Sequence, residues 1–338
     1  MAQQTDYVLS NNVKCFLKAE ETVGTAQTDT MMRLHTTSIS IPEVSVPLEY
    51  SANRSGAQVA LLGQGHHVKG TNLYSFDTTM KGTNYAIRLA CAAVMNDASG
   101  HAATNTLNNT YAFDSSKYKH GTGSGAGNTY TIFFQNAGSD TDGDAHMQFK
   151  GCVATGFSFS SGVGSESGEL QVTINWTTAY IPEVVSTSLS STGTDDGEPK
   201  NHRTLDADTT NIDAEDVVVQ NYDLSVSRSI ERIHYKDTTS YDPFGYAMTG
   251  AFEVSGSISC IRNTSIDNMI AHFSDSSTVA INIAEATATD FSIALPYCYI
   301  GDTSFDLGGA VMTQTIPFTA VANNDLSSAT AFVTIKSA

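Results

Sequence analysis

Residues 170–177 read Leu170-Gln-Val-Thr-Ile-Asn-Trp-Thr177, and this stretch decides the fold class. Leu170, Val172, Ile174 and Trp176 alternate with Gln171, Thr173, Asn175 and Thr177. Successive side chains of a strand point to opposite faces, so strict alternation means one buried and one wetted face. The same period of two runs through Tyr222-Asp-Leu-Ser-Val-Ser227 toward Ile230. It recurs in Phe252-Glu-Val-Ser-Gly-Ser-Ile-Ser-Cys260. Further strands are expected at Tyr130–Phe134, Gln148–Ser160, Phe291–Ile300 and Ala310–Ala320. Pro317 inside the last of these calls for an edge or a bulge.

Helices are few. Tyr85–Met95 is rich in good helix formers, with Thr83 or Asn84 as its cap. Ser265–Phe273 spaces Ile266, Met269, Ile270 and Phe273 along one helical face, with Asn263 or Thr264 as cap. Residues 96–128 are rich in Asn, Thr, Ser and Gly and read as a long loop. Residues 186–214 are polar, acidic from Asp195 onward and without periodicity, which reads as a linker or an extended arm.

The 338 residues suffice for two domains of ordinary size. Hydrophobic residues make up 40% and charged residues 15%, enough apolar material for cores and too little charge for disorder. The net charge is -18, and the 17 Lys and Arg are scattered singly, so no basic nucleic-acid grip is present. Two readings of the acidity stand together: solubility, and a surface that repels a polyanion. Met1 to Ser10 lacks the pattern of a signal peptide, and no apolar run is long enough to span a membrane. Cys15, Cys91, Cys152, Cys260 and Cys298 are odd in number and widely spaced. They indicate neither a zinc cluster nor a disulfide framework, and read as reduced thiols.

No motif carries chemistry. Asp140-Thr-Asp-Gly-Asp144 has alternate carboxylates, but Ala145 and Gly151 stand where a calcium-binding EF-hand loop needs Gly and Glu. His66 and His67 are adjacent and, on a strand, point to opposite faces. Gly164-Ser-Glu-Ser-Gly168 has Glu166 where a nucleophile elbow needs Ser. The expectation is no catalytic residue, no metal and no cofactor.

An internal repeat organises the chain. A strand at Leu73–Met80 leads into the helix at Tyr85–Met95, as the strand Phe252–Cys260 leads into the helix at Ser265–Phe273. The run around Cys152, its glycine-rich turn and the strand Leu170–Trp176 are answered by the run around Cys298, Gly308-Gly309 and the strand Val311–Thr319. The expected organisation is one domain over 1–185, an acidic linker or arm over 186–214, and a second similar domain over 215–338.

Three of these features together resemble the tail tube proteins of long-tailed phages. They are the strand-to-helix step at Met248–Phe273, the glycine-broken hairpin at Cys152–Trp176, and the closing strand Met312-Thr-Gln-Thr-Ile-Pro-Phe-Thr-Ala320. The opening stretch Phe16-Leu-Lys-Ala-Glu-Glu-Thr-Val-Gly-Thr25 is similar to the early extended segment of that family. The resemblance implies an all-β protein with a few short helices: two antiparallel β-sandwich or barrel domains whose inner sheets join around an axis. It implies stacked rings forming a genome conduit, each ring a trimer with pseudo-sixfold symmetry, or a hexamer. The partners it implies are copies of the chain itself, tail tip or baseplate, tape measure and terminator proteins, and genomic DNA passing without specific binding. No membrane is involved, and the protein is expected in the virion tail after assembly in the host cytoplasm. A wall that must not hold DNA is acidic or neutral. Glu169, Asp223 and Glu253 are the lumen-lining candidates, and the other reading of their faces is plain outside solvent. Asp195, Asp196, Glu198, Lys200 and Arg203 are candidates for an arm between rings or subunits. The competing readings are another virion β protein (capsid, baseplate or adhesion module) and a β-rich hydrolase.

Overall fold

The computed structural model describes residues 13–28, 31–45, 48–50, 65–67, 72–95, 109–112, 119–120, 126–136, 146–162, 169–185, 210–234, 243, 245–262, 277–284, 291–322 and 333–337. The fold is all-β with one helix among these residues. The first half of the chain carries β1 (Val13–Ala19), β2 (Met32–Leu34), β3 (Thr36–Ile39), β4 (Leu48–Tyr50), β5 (Gly65–His67) and β6 (Tyr74–Lys81). Next come α1 (Asn84–Met95), β7 (Asn109–Ala112), β8 (Lys119–His120), β9 (Ala126–Gly127), β10 (Tyr130–Asn136), β11 (His146–Gly162), β12 (Gln171–Thr178) and β13 (Glu183–Val185). The second half carries β14 (Asn211–Ile212), β15 (Glu215–Asp216), β16 (Val218–Ser227), β17 (Ile230–Ile233), β18 (Gly245–Met248) and β19 (Glu253–Ile261). Then follow β20 (Val279–Ala284), β21 (Phe291–Ile300), β22 (Ser304–Asp306), β23 (Thr313–Ala320) and β24 (Thr334–Ser337).

A front sheet runs through both halves in the order β3-β6-β12-β11-β16-β19-β23, with β22 and the end of β21 on its last edge. Behind the first half, β2-β1-β10 pair onto the start of β11, with β13 on its other side. Behind the second, β15-β14-β20 pair onto the start of β21, with β24 on its other side. The long strands β11 and β21 thus belong to both layers. Every pairing is antiparallel except the short β8–β9 pair.

The registers repeat, irregularities included. Tyr130 faces Cys152 and Ile132 faces Phe149, with an extra residue on β11; Val279 faces Cys298 and Ile281 faces Leu295, with an extra residue on β21. On β3 the register slips between Thr36 and Ser38, and on β16 between Val219 and Asn221. Ser158 faces Thr173 and Phe159 faces Val172; Ser304 faces Thr315 and Phe305 faces Gln314. Glu49 faces His66 in one hairpin and Arg232 faces Tyr246 in the other. Bulges insert one residue and turn a strand, so matching bulges bend the two halves alike. Pro317 sits where β23 meets the break between β21 and β22. Its carbonyl accepts the Gly301 N–H at 2.7 Å, so the missing proline N–H falls on the bulged side.

One continuous core fills the space between the layers and crosses the middle of the chain. In the first half Phe76 meets Phe134 and Phe149, and Tyr130 and Trp176 form a T-shaped pair. The indole N–H of Trp176 donates to Thr78 Oγ1 at 2.9 Å, so the largest buried ring leaves no polar atom unpaired. Phe159 meets Phe291 at 6.0 Å between centroids, a contact that ties the halves together. Thr83 caps helix α1: its hydroxyl accepts the Ala86 N–H at 3.1 Å, in the first turn. All its residues from Ala86 to Met95 are buried, and it packs on β11 and β12.

Two expectations change. The stretch 96–128 is not loop throughout: it contains β7, β8 and β9, and β7 pairs with β24 while β8 pairs with β18. Asn211–Ile212, at the end of the expected linker, form β14. The second expected helix, Ser265–Phe273, and the acidic turn Asp140–Asp144 lie outside the described residues. Among the described residues no helix is long and apolar enough to cross a membrane.

Candidate functional site

The face of the front sheet turned away from the core is a field of hydroxyls. One row crosses it through Thr79, Thr173, Ser158, Ser225, Ser255 and Thr319. A neighbouring row carries Asp77, Asn175, Gly156, Ser227 and Glu253, and another carries Lys81, Gln171, Ser160, Asp223 and Ser257. The hydroxyls bond across strands: Thr79 to Thr173 at 3.0 Å, Ser75 to Thr177 at 3.1 Å, Ser259 to Thr315 at 3.1 Å. Such pairs stiffen a sheet without adding charge.

Asp223, Glu253 and Glu169, the three lumen-lining candidates, lie on this face. Asp223 is exposed on β16 and accepts the Ser257 hydroxyl; Glu253 is exposed at the start of β19. Glu169 precedes β12 on the same side and pairs with Lys81 at 2.8 Å, so its charge is largely compensated. Glu169 and Asp223 border one shallow depression with Ser160 and Gln171. Asp77, which periodicity did not single out, joins the same face and accepts the Ser40 hydroxyl at 3.4 Å. Asp195, Asp196, Glu198, Lys200 and Arg203 lie outside the described residues.

Where the halves meet, β11 and β16 form a ladder from Gly156 opposite Ser227 to Gly162 opposite Asn221. Phe157 faces Val226 and Phe159 faces Leu224, all four fully or almost fully buried. The hairpin β17–β18 then reaches back over the first half. Tyr246 is buried there; its O–H donates to the Gly151 carbonyl at 2.8 Å and its oxygen accepts the Ala179 N–H at 3.0 Å. Burial pushes this phenol well above its ordinary pKa, so it holds its proton and donates. Tyr180 O–H donates to the Pro243 carbonyl at 2.8 Å. Its ring fills the space that a side chain at Gly24 or Gly151 would need, and both glycines have positive φ.

Beneath this latch sits a buried carboxylate. Glu20 accepts four bonds: from Thr129 Oγ1 and the Gly24 N–H at 2.8 Å each, Thr131 Oγ1 at 2.9 Å, and the Gly151 N–H at 2.7 Å. A carboxylate with all its acceptor sites filled is tolerated in an interior that would otherwise reject the charge. Neither Glu20 nor Tyr246 stood out in the sequence. Apart from Gly24, four residues from Glu20, their partners are far away in the chain. The five cysteines are all free and buried; burial pushes the thiol of Cys260 up to about 11 and that of Cys298 up to about 12.

Among the described residues no group of three or more His, Cys, Asp or Glu is placed to hold a metal ion. Among the described residues the molecule presents a broad polar sheet face, sheet edges that include β3 and β22, and a latch between halves. Comparison with known proteins agrees with a structural role: the family model described as phage tail tube protein matches residues 10–320. No curated protein matches the chain.

Proposed function

The chain belongs to the phage tail tube protein family and is a structural component of the virion tail, and from that membership we propose how it builds the tube. Each chain supplies two tube units, residues 1–185 and 215–338, with 186–214 as the connecting arm. Three chains close a ring with pseudo-sixfold symmetry, and rings stack head to tail, a heterologous contact that extends without limit. The polar face of the front sheet lines the lumen. Its partners are further copies of itself, the tail tip or baseplate, the tape measure and terminator proteins, and genomic DNA in transit. The chain catalyses nothing and assembles in the host cytoplasm. Asp195, Asp196, Glu198, Lys200 and Arg203 serve the contact between rings or subunits.

The observation that supports this reading is the unbroken hydroxyl face spanning both halves, with Asp77, Glu169, Asp223 and Glu253 on it and Lys81 already paired. DNA is held by cations that displace its counterions, and such a wall offers no unpaired one in those rows. A hydroxyl surface also stays wet, which suits sliding. The test is electron cryomicroscopy of assembled tubes. Density that places Asp223 and Glu253 on the inner wall is expected; density that places them on the outer surface contradicts the reading.

A further inference from the structure

We propose that the exposed edge of the second half, β22 with its flanking residues, is completed by β3 of a second copy of this chain, which repeats between chains the β11–β16 ladder found within one. The inference rests on the tube reading and adds the edges, the register and the residues that meet.

The first observation is that the two edges are equivalent in register and opposite in cover. Ser158 and Phe159 face Thr173 and Val172 on one side and are covered by β16 on the other. Ser304 and Phe305 face Thr315 and Gln314 in the same way, and among the described strands nothing covers their other side. Phe159 is 0% exposed, whereas Phe305 is 42% and its neighbour Leu307 is 75% exposed. Bare edges with apolar side chains are templates for another strand.

The second observation identifies the strand. β16 covers β11, and β3 holds the place of β16: β3 pairs with β6 and β16 with β19, β6 pairs with β12 as β19 pairs with β23, and both slip register at the same point. Among the described strands β3 pairs with β6 alone. Carrying the internal register over sets Phe305 opposite Ile41, Asp306 opposite Ser40 and Leu307 opposite Ile39. Ile41 is 49% exposed, an apolar residue awaiting cover. The backbone is directed suitably. The Ser40 N–H donates inward to the Asp77 carbonyl at 3.1 Å. N–H groups alternate along a strand, so Ile39 and Ile41 point outward and Pro42 forfeits no bond to the new partner.

A third observation extends the match. The hairpin β17–β18 covers Gly151 and Val153 through Tyr246. The corresponding surface of the second half bears Tyr297 and Tyr299, both exposed. The hairpin β4–β5 has the register of β17–β18 and follows β3 in the chain. It therefore arrives with β3 to cover those two tyrosines.

The test is a cross-link. Ser40→Cys with Asp306→Cys places thiols at a pair whose N–H groups point away from each other. Such Cα atoms stand about 4.5 Å apart, within the usual disulfide range. The five native cysteines are buried, which keeps the background low. Tubes of the double variant, oxidised and run on a denaturing gel, are expected to give covalent multimers, and each single variant one chain. Tubes that form yet stay single-chain overturn the edge pairing and leave the tube reading standing. Absence of tubes both from concentrated wild-type protein and from isolated tails overturns the tube reading and this inference with it. Should the double variant fail to fold, hydrogen exchange on wild-type tubes decides. The Ile41 and Phe305 amides are expected to gain at least tenfold protection on assembly, and unchanged exchange overturns the proposal.

Discussion

Phe159 and Phe305 hold the same register position in the two halves of one chain, and their surroundings differ completely. Phe159 lies under β16, opposite Leu224 and against Phe291. Phe305 lies on an edge that no described strand covers, and the Arg262 guanidinium stacks over its ring at 5.0 Å. The internal junction is therefore a picture of a finished contact, and the far edge is the same contact unfinished. The finished one also has more ties. It carries the ladder, the Tyr246 latch and the pairing of β7 with β24, whereas no strand among the described residues pairs with the outer edge of β13, whose Val184 is exposed. A joint within a chain is made once in folding; a joint between chains is made by assembly and has to form between folded partners.

The sharpest way to break this comparison is to cut the same residue on both sides. Phe159→Ala is expected to destabilise the free chain by about 3–5 kcal/mol in denaturant unfolding, because a fully buried ring leaves a cavity. Phe305→Ala is expected to move the same curve by only about 1 kcal/mol, the loss of a half-exposed ring and its Arg262 contact, and to reduce tube formation seen by electron microscopy. Equal losses from both would show that Phe305 is already as well packed in the free chain as Phe159, and that its edge is not the unfinished contact.

The latch comes next. Glu20→Gln keeps the shape but turns an amide N–H toward donors, and is expected to cost about 2–3 kcal/mol in the same measurement. Tyr246→Phe leaves the Gly151 carbonyl and the Ala179 N–H unpaired in a buried place, with an expected cost of about 1–2 kcal/mol. If Tyr246→Phe is neutral, the latch is packing alone.

The smallest effect is on pH. Cys260 and Cys298 have folded pKa values raised above their ordinary 9.0 by burial. The folded state then holds protons that the unfolded state releases, so their contribution is full below pH 9 and is lost as pH rises toward 11 to 12. Melting temperature is expected to fall across that range, and less steeply in Cys260→Ala and Cys298→Ala. A slope unchanged by both substitutions would remove the thiols from the account.

Much of this fold was legible because one face of each strand is dry. Leu170–Trp176 and Tyr222–Ser227 declare their period through residues that pack on the core, and the helix at Tyr85–Met95 through its run of small apolar residues. Cys152 and Cys298 mark the same register point, as the order of segments implied. The strands inside 96–128 were not legible. They are two to four residues long, polar or glycine-containing, and pair with strands remote in sequence, β7 with β24 and β8 with β18, or with each other, β8 with β9. Glu20 and Tyr246 were hidden for a related reason, since a buried carboxylate or phenol is identified by partners remote in sequence. The polar face was legible as alternation, but its continuity across both halves depends on the β11–β16 pairing, which alternation does not specify.

Cryo-EM of the assembled tube at a resolution that traces strands tests the central claim most directly. The account predicts three chains per ring and six joints of one kind around it. Three are β11 against β16 within a chain, and three are β22 against β3 of the next chain with Phe305 opposite Ile41, and the hydroxyl face lines the bore. A ring in which β22 faces solvent or meets another element, or in which the hydroxyl face lies outside, would contradict it.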